Sequence, residues 1–290
     1  MKLSLCNEVL AHLPFESQCQ SAASFDYAGL ELAPYTLHDN PAELTERDAR
    51  RCRGIAKEHG LAISSLHWLL AQPPGLSIAS PDERVHGRTV DFLLRMIDFA
   101  AVCGADVLVH GSPSQRSPVA GQSVADAGRR CEVAWERLGR HAGEAGVLYC
   151  IEPLRPQVTP VVNTVAEALA VVDRTRTGAL RTMVDLSAAE ASEAESPAAL
   201  LRRYLPGGKI AHIQLNDANR RGPGQGSTAV EPVLEALIDD GYDGWIAIEP
   251  FEYFPDPISC ASFCATYVRN ICSEISRRKS AHTAAERHRK

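Results

Sequence analysis

Eight short runs rich in apolar and β-branched residues, separated by longer segments with helical periodicity, leave a chain like this few ways to fold. The runs are KLSLC (2–6), GLELA (29–33), AISSLHWL (62–69), DVLVH (106–110), VLYCIE (147–152), RTMVD (181–185), IAHIQL (210–215) and WIAIE (245–249). Between them lie 14–25, 42–60, 86–104, 123–146, 164–175, 197–205 and 229–241, and a last helical segment, 258–278, follows the eighth run. Gly60 and Gly104 read as helix stops, and Thr164 with Glu167 as a capping box opening a helix. Strand and helix in strict alternation predict βα units on a parallel sheet. Such a sheet either closes or stays open and doubly wound, and a count of eight favours closure into a (β/α)8 TIM barrel of class α/β. An open dinucleotide-binding sheet would need G-x-G-x-x-G after the first strand, where this chain has NEVLAHLP.

The chain has 290 residues, and a barrel of this kind takes about 250, so one domain over 1–276 suffices. The remainder, 277–290 (RRKSAHTAAERHRK), is basic, lacks large apolar residues and is expected to be a disordered tail. A net charge of -6 argues against a polyanion, so the expected partner is a small molecule and not nucleic acid. Nine cysteines without a C-x-x-C pair suggest reduced thiols and a cytoplasmic protein. The N-terminus is too polar for a signal h-region, and no run approaches the roughly 18 apolar residues that span a bilayer, so no membrane association is expected.

In closed α/β barrels, functional side chains gather at the C-terminal ends of the strands. There the sequence places Asn7, Glu8, Glu31, His67, His110, Glu152, Asp185, His212 with Gln214 and Asn216, and Glu249. Glu152, Asp185, His212 and Glu249 fall one on each of strands five to eight. Three carboxylates and an imidazole suit one divalent ion, Mn²⁺ first, with Mg²⁺, Co²⁺ or Zn²⁺ as alternatives. Such an ion would polarise a carbonyl while a neighbouring carboxylate moves a proton. His67 and His110 are candidate substrate-facing donors, Arg155 and Gln214 further polar contacts, and Trp68 an apolar wall for a sugar ring. The loop HGSPSQR (110–116) adds Ser112, Ser114, Gln115 and Arg116 to the same mouth.

With these residues the chain resembles the xylose isomerase-like barrel superfamily of sugar isomerases and epimerases, which includes ketose 3-epimerases and inosose-processing enzymes. The resemblance spans about residues 1–275 and rests on IEPL with Glu152, NT at 163–164, MVDL with Asp185, HIQLND with His212, RRGPGQG at 220–226, and GYDGWIAIEPF with Glu249. It implies a metal held by Glu152, Asp185, His212 and Glu249, with Glu152 and Glu249 also exchanging the substrate proton from opposite faces, and a homodimer or homotetramer. Similar epimerases carry a His where this chain has Ala188 and a second Glu where it has Val158, so their substrate contacts do not transfer. Apurinic-site endonucleases of the same superfamily resemble it at His67 and His110, but Ala188 and the stretch GPGQGS lack the further metal ligands of those enzymes. The expected function is a metal-dependent isomerase or epimerase of a small keto-sugar, keto-polyol or related hydroxycarbonyl compound acting through an enediolate. A lyase or dehydratase using the same site is the alternative, ahead of DNA repair and of a noncatalytic barrel.

Overall fold

A computed structural model describes the backbone of residues 1–287 and the side chains of residues 1–281. Its eight strands are β1 (Lys2–Cys6), β2 (Gly29–Leu32), β3 (Ala62–Leu66), β4 (Val107–His110), β5 (Leu148–Ile151), β6 (Leu180–Asp185), β7 (Ile210–Leu215) and β8 (Trp245–Ile248). Each pairs in parallel with its sequence neighbour, and β8 returns to β1, closing the barrel. The expected (β/α)8 TIM barrel is therefore the fold. Around it run α1 (Phe15–Ser24), α2 (Glu46–Glu58), α3 (Glu83–Cys103), α4 (Pro113–Arg116), α5 (Val124–Ala145), α6 (Val165–Thr175), α7 (Leu186–Ser192), α8 (Pro197–Tyr204), α9 (Val230–Asp239) and α10 (Pro257–Arg287). None is long and apolar enough to cross a membrane among the described residues.

Local chemistry explains the boundaries. Thr164 accepts from the Glu167 N–H while the Glu167 carboxylate takes the Thr164 N–H, the capping box read in the sequence. Two short helices had no counterpart in the sequence reading. Of these, α7 starts because Asp185 caps it, its side chain accepting from the Ala188 N–H at 2.7 Å. The third strand stops at Leu66, three residues earlier than expected, because the chain turns out of the sheet at Trp68 with φ 50°.

A second correction concerns the tail. Instead of losing order after residue 276, α10 continues to Arg287; residues 288–290 lie outside the described part. The segment has no Gly or Pro and is rich in Ala and Arg, both strong helix formers. It is also tied to α9, with Arg278 2.7 Å from Glu231 and Lys279 paired with Asp239.

Alternation along the strands sorts side chains into two cores. Leu108, Tyr149, Ile151, Val184, Ile213 and Ile248 belong to the large cluster between sheet and helices. Val107, Val109, Cys150 and Met183 form a separate small cluster. The latter share a face with Glu152 and Asp185, so they plug the barrel interior directly beneath the polar mouth.

Candidate active site and metal centre

Glu152 follows β5, Asp185 ends β6 and Glu249 follows β8, so strand geometry alone turns these three carboxylates into the mouth. Each is tethered at its backbone or side chain. The Glu152 N–H donates to His110 O at 3.2 Å and the Glu249 N–H to Leu215 O at 3.0 Å. Asp185 is held by the Ala188 N–H, the Ser187 hydroxyl and the Asn216 amide. Burial, then the charge of Asp185, pushes the Glu152 carboxyl up to about 8. Burial, opposed by His67 and reinforced by Asp185 and Glu152, holds Glu249 well above the usual carboxylate range. Burial likewise raises Asp185, against the hydrogen bonds that favour its ionised form. Three acids crowded out of water share too much negative charge to ionise together without a cation.

The fourth expected ligand lies elsewhere. Strand register sets Asp185 level with Gln214, and Met183 level with His212. His212 is thus one inward layer deeper, about 6.6 Å down the strand, and its Nε2 lies 2.9 Å from Glu31 Oε1. At the carboxylate level stands Gln214, whose Nε2 donates to Glu31 Oε2 at 3.0 Å. That bond turns its Oε1 the other way, and Oε1 is buried without a hydrogen-bond partner among the described residues, as is Glu249 Oε2. Unsatisfied buried oxygens are costly and demand an occupant. Oxygen donors from Glu152, Asp185, Gln214 and Glu249 are the hard set that a divalent cation takes, so the residues present fit the metal implied by the sequence.

Beneath this set lies a hydrogen-bonded cluster centred on Glu31 and His67. His67 Nε2 is 2.8 Å from Glu8 Oε2, and its Nδ1 is 3.1 Å from Glu249 Oε1 and 3.7 Å from Glu31 Oε2. Burial alone would favour the neutral ring, but the surrounding Glu8, Glu31 and Glu249 raise its pKa well above the ordinary value and favour the imidazolium. Burial would also raise Glu31; the neighbouring His67 and His212 and the hydrogen bonds it accepts overcome this and hold it well below the carboxylate range. Ser65 and Cys6 donate to Glu31 as well, at 2.8 and 2.9 Å. Cys6 Sγ, a His67 nitrogen and a Glu249 oxygen also lie within 4.8 Å of one another. Burial and the neighbouring Glu31 and Glu249 push the Cys6 thiol well up, however, and a protonated thiol is a poor ligand.

A pocket with about 540 Å³ of free space, part of it open to solvent, rises over the mouth. Of the expected contacts, His67, Trp68, Arg155, Glu152 and Glu249 line it. His110 does not. Alternation puts it on the outer face of β4 with Leu108, where Nδ1 is 2.6 Å from the Tyr149 hydroxyl and 3.4 Å from Trp135 Nε1. Burial, with Arg116 nearby, lowers its pKa to about 3 and keeps it neutral. Arg116 is also turned away from the mouth, fully buried and donating to the carbonyls of Glu152 (2.7 Å) and Val162 (3.3 Å), so it braces the strand ends. Sequence reasoning quoted Arg220 within RRGPGQG but gave it no role; it lines the pocket beside Phe251.

The acid cluster sets a pH dependence for the metal-free protein. Between the ordinary carboxylate range and pH 8, folded Glu152 and Glu249 hold protons that the unfolded chain has released, so stability falls as pH rises. The raised His67 works in the same direction above its ordinary 6.5. We expect the Tm of metal-free protein to drop from about pH 5.5 to about pH 8, and the Tm gain on adding Mn²⁺ to be larger at the higher pH, by differential scanning fluorimetry. Equal gains at both would contradict the burial of these acids.

Comparisons with known proteins agree with the geometry. A Streptomyces coelicolor protein named as a hydroxypyruvate isomerase is 27% identical over 256 residues, covering 83% of this chain and 87% of the relative. A Synechocystis protein named as a ketose 3-epimerase is 23% identical over 236 residues, covering 81% and 77%. The crystal structure of a D-psicose 3-epimerase in the presence of D-fructose superposes with a TM-score of 0.80 at 20% identity over 94% of this chain and 99% of that one, a likeness of fold. The family model described as xylose isomerase-like TIM barrel matches residues 19–259, so the chain belongs to that family.

Proposed function

We propose that this protein is a divalent-metal-dependent isomerase or epimerase of a small hydroxycarbonyl compound, with Glu152 and Glu249 as its acid/base pair. The observation that carries the proposal is the grouping of half-buried Glu152 with buried Asp185, Glu249 and the unpartnered Gln214 Oε1 at the barrel mouth, where Glu152 and Glu249 line a pocket. Glu152, Asp185, Gln214 and Glu249 would hold the metal, with Gln214 in the position the sequence reading gave to His212. A bound divalent ion would supply Lewis-acid polarisation of the substrate carbonyl.

The chain's own residues supply the proton chemistry. Glu152 and Glu249 stand three strands apart around the barrel, so they approach a carbon held between them from different sides. One carboxylate takes the proton from the carbon beside the carbonyl, and the C–H electrons pass into the carbonyl to leave an enediolate. Return of a proton by the other carboxylate to the opposite face inverts the carbon; return to the neighbouring carbon, with the hydroxyl proton passing to the former carbonyl oxygen, moves the carbonyl. Carboxyls raised towards neutrality hold and release protons efficiently in the range where an enzyme works. His67, 3.1 Å from Glu249, favours the ionised form of that carboxyl against the burial that raises it. Leu154, Trp68 and Phe251 form apolar walls that thin out water around the reacting carbon.

The test is solvent exchange. Mn²⁺-loaded protein in D₂O should wash deuterium into the carbon beside the carbonyl of a hydroxycarbonyl substrate, and EDTA should stop it. Absence of exchange across three- to six-carbon hydroxycarbonyl compounds, with metal shown bound, would sink the proposal. An unsaturated product with loss of water would move the chain to the dehydratase alternative.

A further inference from the structure

We propose that Gly111 is a positioning residue for the acid/base group Glu152: by having no side chain, it leaves open the place over the end of β4 that the Glu152 carboxylate occupies. The inference rests on the isomerase reading for what Glu152 does and adds the device that aims it.

The three mouth carboxylates are not held alike. Asp185 takes hydrogen bonds from Ser187, Ala188 and Asn216, and Glu249 lies 3.1 Å from His67 Nδ1. Glu152 is half-buried and lines the pocket, yet among the described residues its carboxylate has no hydrogen bond. The shape of its surroundings therefore sets where it lies.

Strand alternation supplies that shape. Val107 and Val109 belong to the interior cluster and His110 faces the helices, so position 111 is the next inward one on β4. Register pairs His110 with Ile151, which brings Gly111 level with Glu152 on the adjacent strand. A side-chain carbon at Gly111 would overlap Glu152 Oε2 and lie 3.2 Å from Cδ and 3.9 Å from Oε1. Outside the adjacent residues, these are the nearest atoms it would meet, so the carboxylate fills the room a side chain would take. Glu152 thus leans over β4, on the side away from Asp185 on β6. Gly111 does not have a positive φ, so what glycine provides here is space and not backbone freedom.

The main chain on either side of Gly111 is fixed. The His110 carbonyl accepts from the Glu152 N–H at 3.2 Å and from Arg116 Nη1 at 3.4 Å. Arg116 Nη1 also donates to the Glu152 carbonyl at 2.7 Å, so one buried guanidinium clamps both strand ends. Beyond Gly111, Ser112 adopts φ 42°, a left-handed conformation, and its hydroxyl accepts from the Leu70 N–H at 3.2 Å. An added methyl group is therefore relieved at the free end of the Glu152 side chain, by rotation away from β4. A reacting group displaced by about 1 Å loses on the order of 10²-fold in rate while the rest of the substrate still binds. Glu249, on the far side of the barrel, keeps its place, so the loss belongs to one face of the substrate carbon.

Gly111→Ala, Glu152→Ala and the double variant test this with Mn²⁺-loaded enzyme. In a crystal structure of G111A the Glu152 carboxylate should lie about 1 Å or more from its wild-type place, with the backbone of 110–116 unmoved. A carboxylate in its original place overturns the proposal. Solvent-exchange kcat should fall about 10- to 100-fold with KM within about threefold, and the fall should concentrate on the epimer whose proton Glu152 takes. An equal loss on both epimers, or none, also overturns it. Once Glu152 is Ala the added methyl meets no atom of it, so G111A/E152A should match E152A within about threefold in rate and about 2 °C in Tm. A further loss in the double variant, or its failure to fold, would show that something other than Glu152 needs the glycine. A G111A chain that folds only when E152A is added would confirm the overlap. The isomerase reading fails separately: if wild-type enzyme exchanges no hydrogen that reading falls, while a displaced carboxylate in G111A keeps Gly111 as the seat of Glu152.

Discussion

Glu249→Gln should lower kcat by about 10²- to 10⁴-fold on whichever hydroxycarbonyl compound supports solvent exchange, and Glu152→Gln by a similar factor. The amide keeps shape and volume but cannot take a proton from carbon. The two variants should differ in what survives. If each carboxylate serves one face of the substrate carbon, Glu152→Gln retains deuterium exchange of one epimer and Glu249→Gln of the other, while neither interconverts them. Glu249→Gln also replaces the charge 3.1 Å from His67 Nδ1 by a neutral amide, so its pH profile should shift as well as its rate. NMR of each epimer in D₂O reads both effects. If either variant kept a tenth or more of wild-type turnover, the acid/base pair would have to be sought elsewhere.

The second large effect concerns the metal. Gln214→Ala should weaken Mn²⁺ binding by about 10- to 100-fold in calorimetry, because it removes an oxygen at the level of Asp185. His212→Gln should leave that affinity within about threefold and instead cost about 1–3 kcal/mol of stability, since it disturbs a fully buried contact with Glu31. Glu31 joins the two outcomes: by taking the Gln214 Nε2–H it sorts the amide, directing Oε1 to the place where a cation would sit. The opposite ranking, with His212 controlling affinity and Gln214 not, would restore the ligand set expected from sequence.

The contrast between His212 and Gln214 shows where sequence stops being informative. Both lie on the inward face of β7, so alternation cannot choose between them. The choice is made by register against β6, which shifts at a bulge between Thr182 and Met183, a feature no local pattern encodes. Glu152, Asp185 and Glu249 were legible because each occupies the step where an apolar strand gives way to loop. His110 met the same criterion, yet its parity with Leu108 put it among helices; alternation along DVLVH carried that information. Arg220 was legible only as part of a motif, because its direction depends on a left-handed turn and on hydrogen bonds to a segment about thirty residues away. The strand count and order followed from periodicity alone, and the helical run beyond residue 276 follows from its helix-forming composition, with ion pairs to α9 added.

The terminal helix has a role beyond covering the β8–β1 side of the barrel. A side-chain carbon at Gly222 would lie 2.1 Å from Cys264 Sγ, and one at Gly224 2.8 Å from the Tyr267 ring, so the GPGQG stretch rests directly on α10. Those glycines are a bearing surface: they let the loop that presents Arg220 lie flat on a helix whose far end is the last described part of the chain. The loop that carries Arg220 is thereby seated on the first part of α10, about forty residues further along the sequence. A fusion, truncation or proteolytic cut that loosens α10 reaches the pocket from behind without altering any residue that lines it.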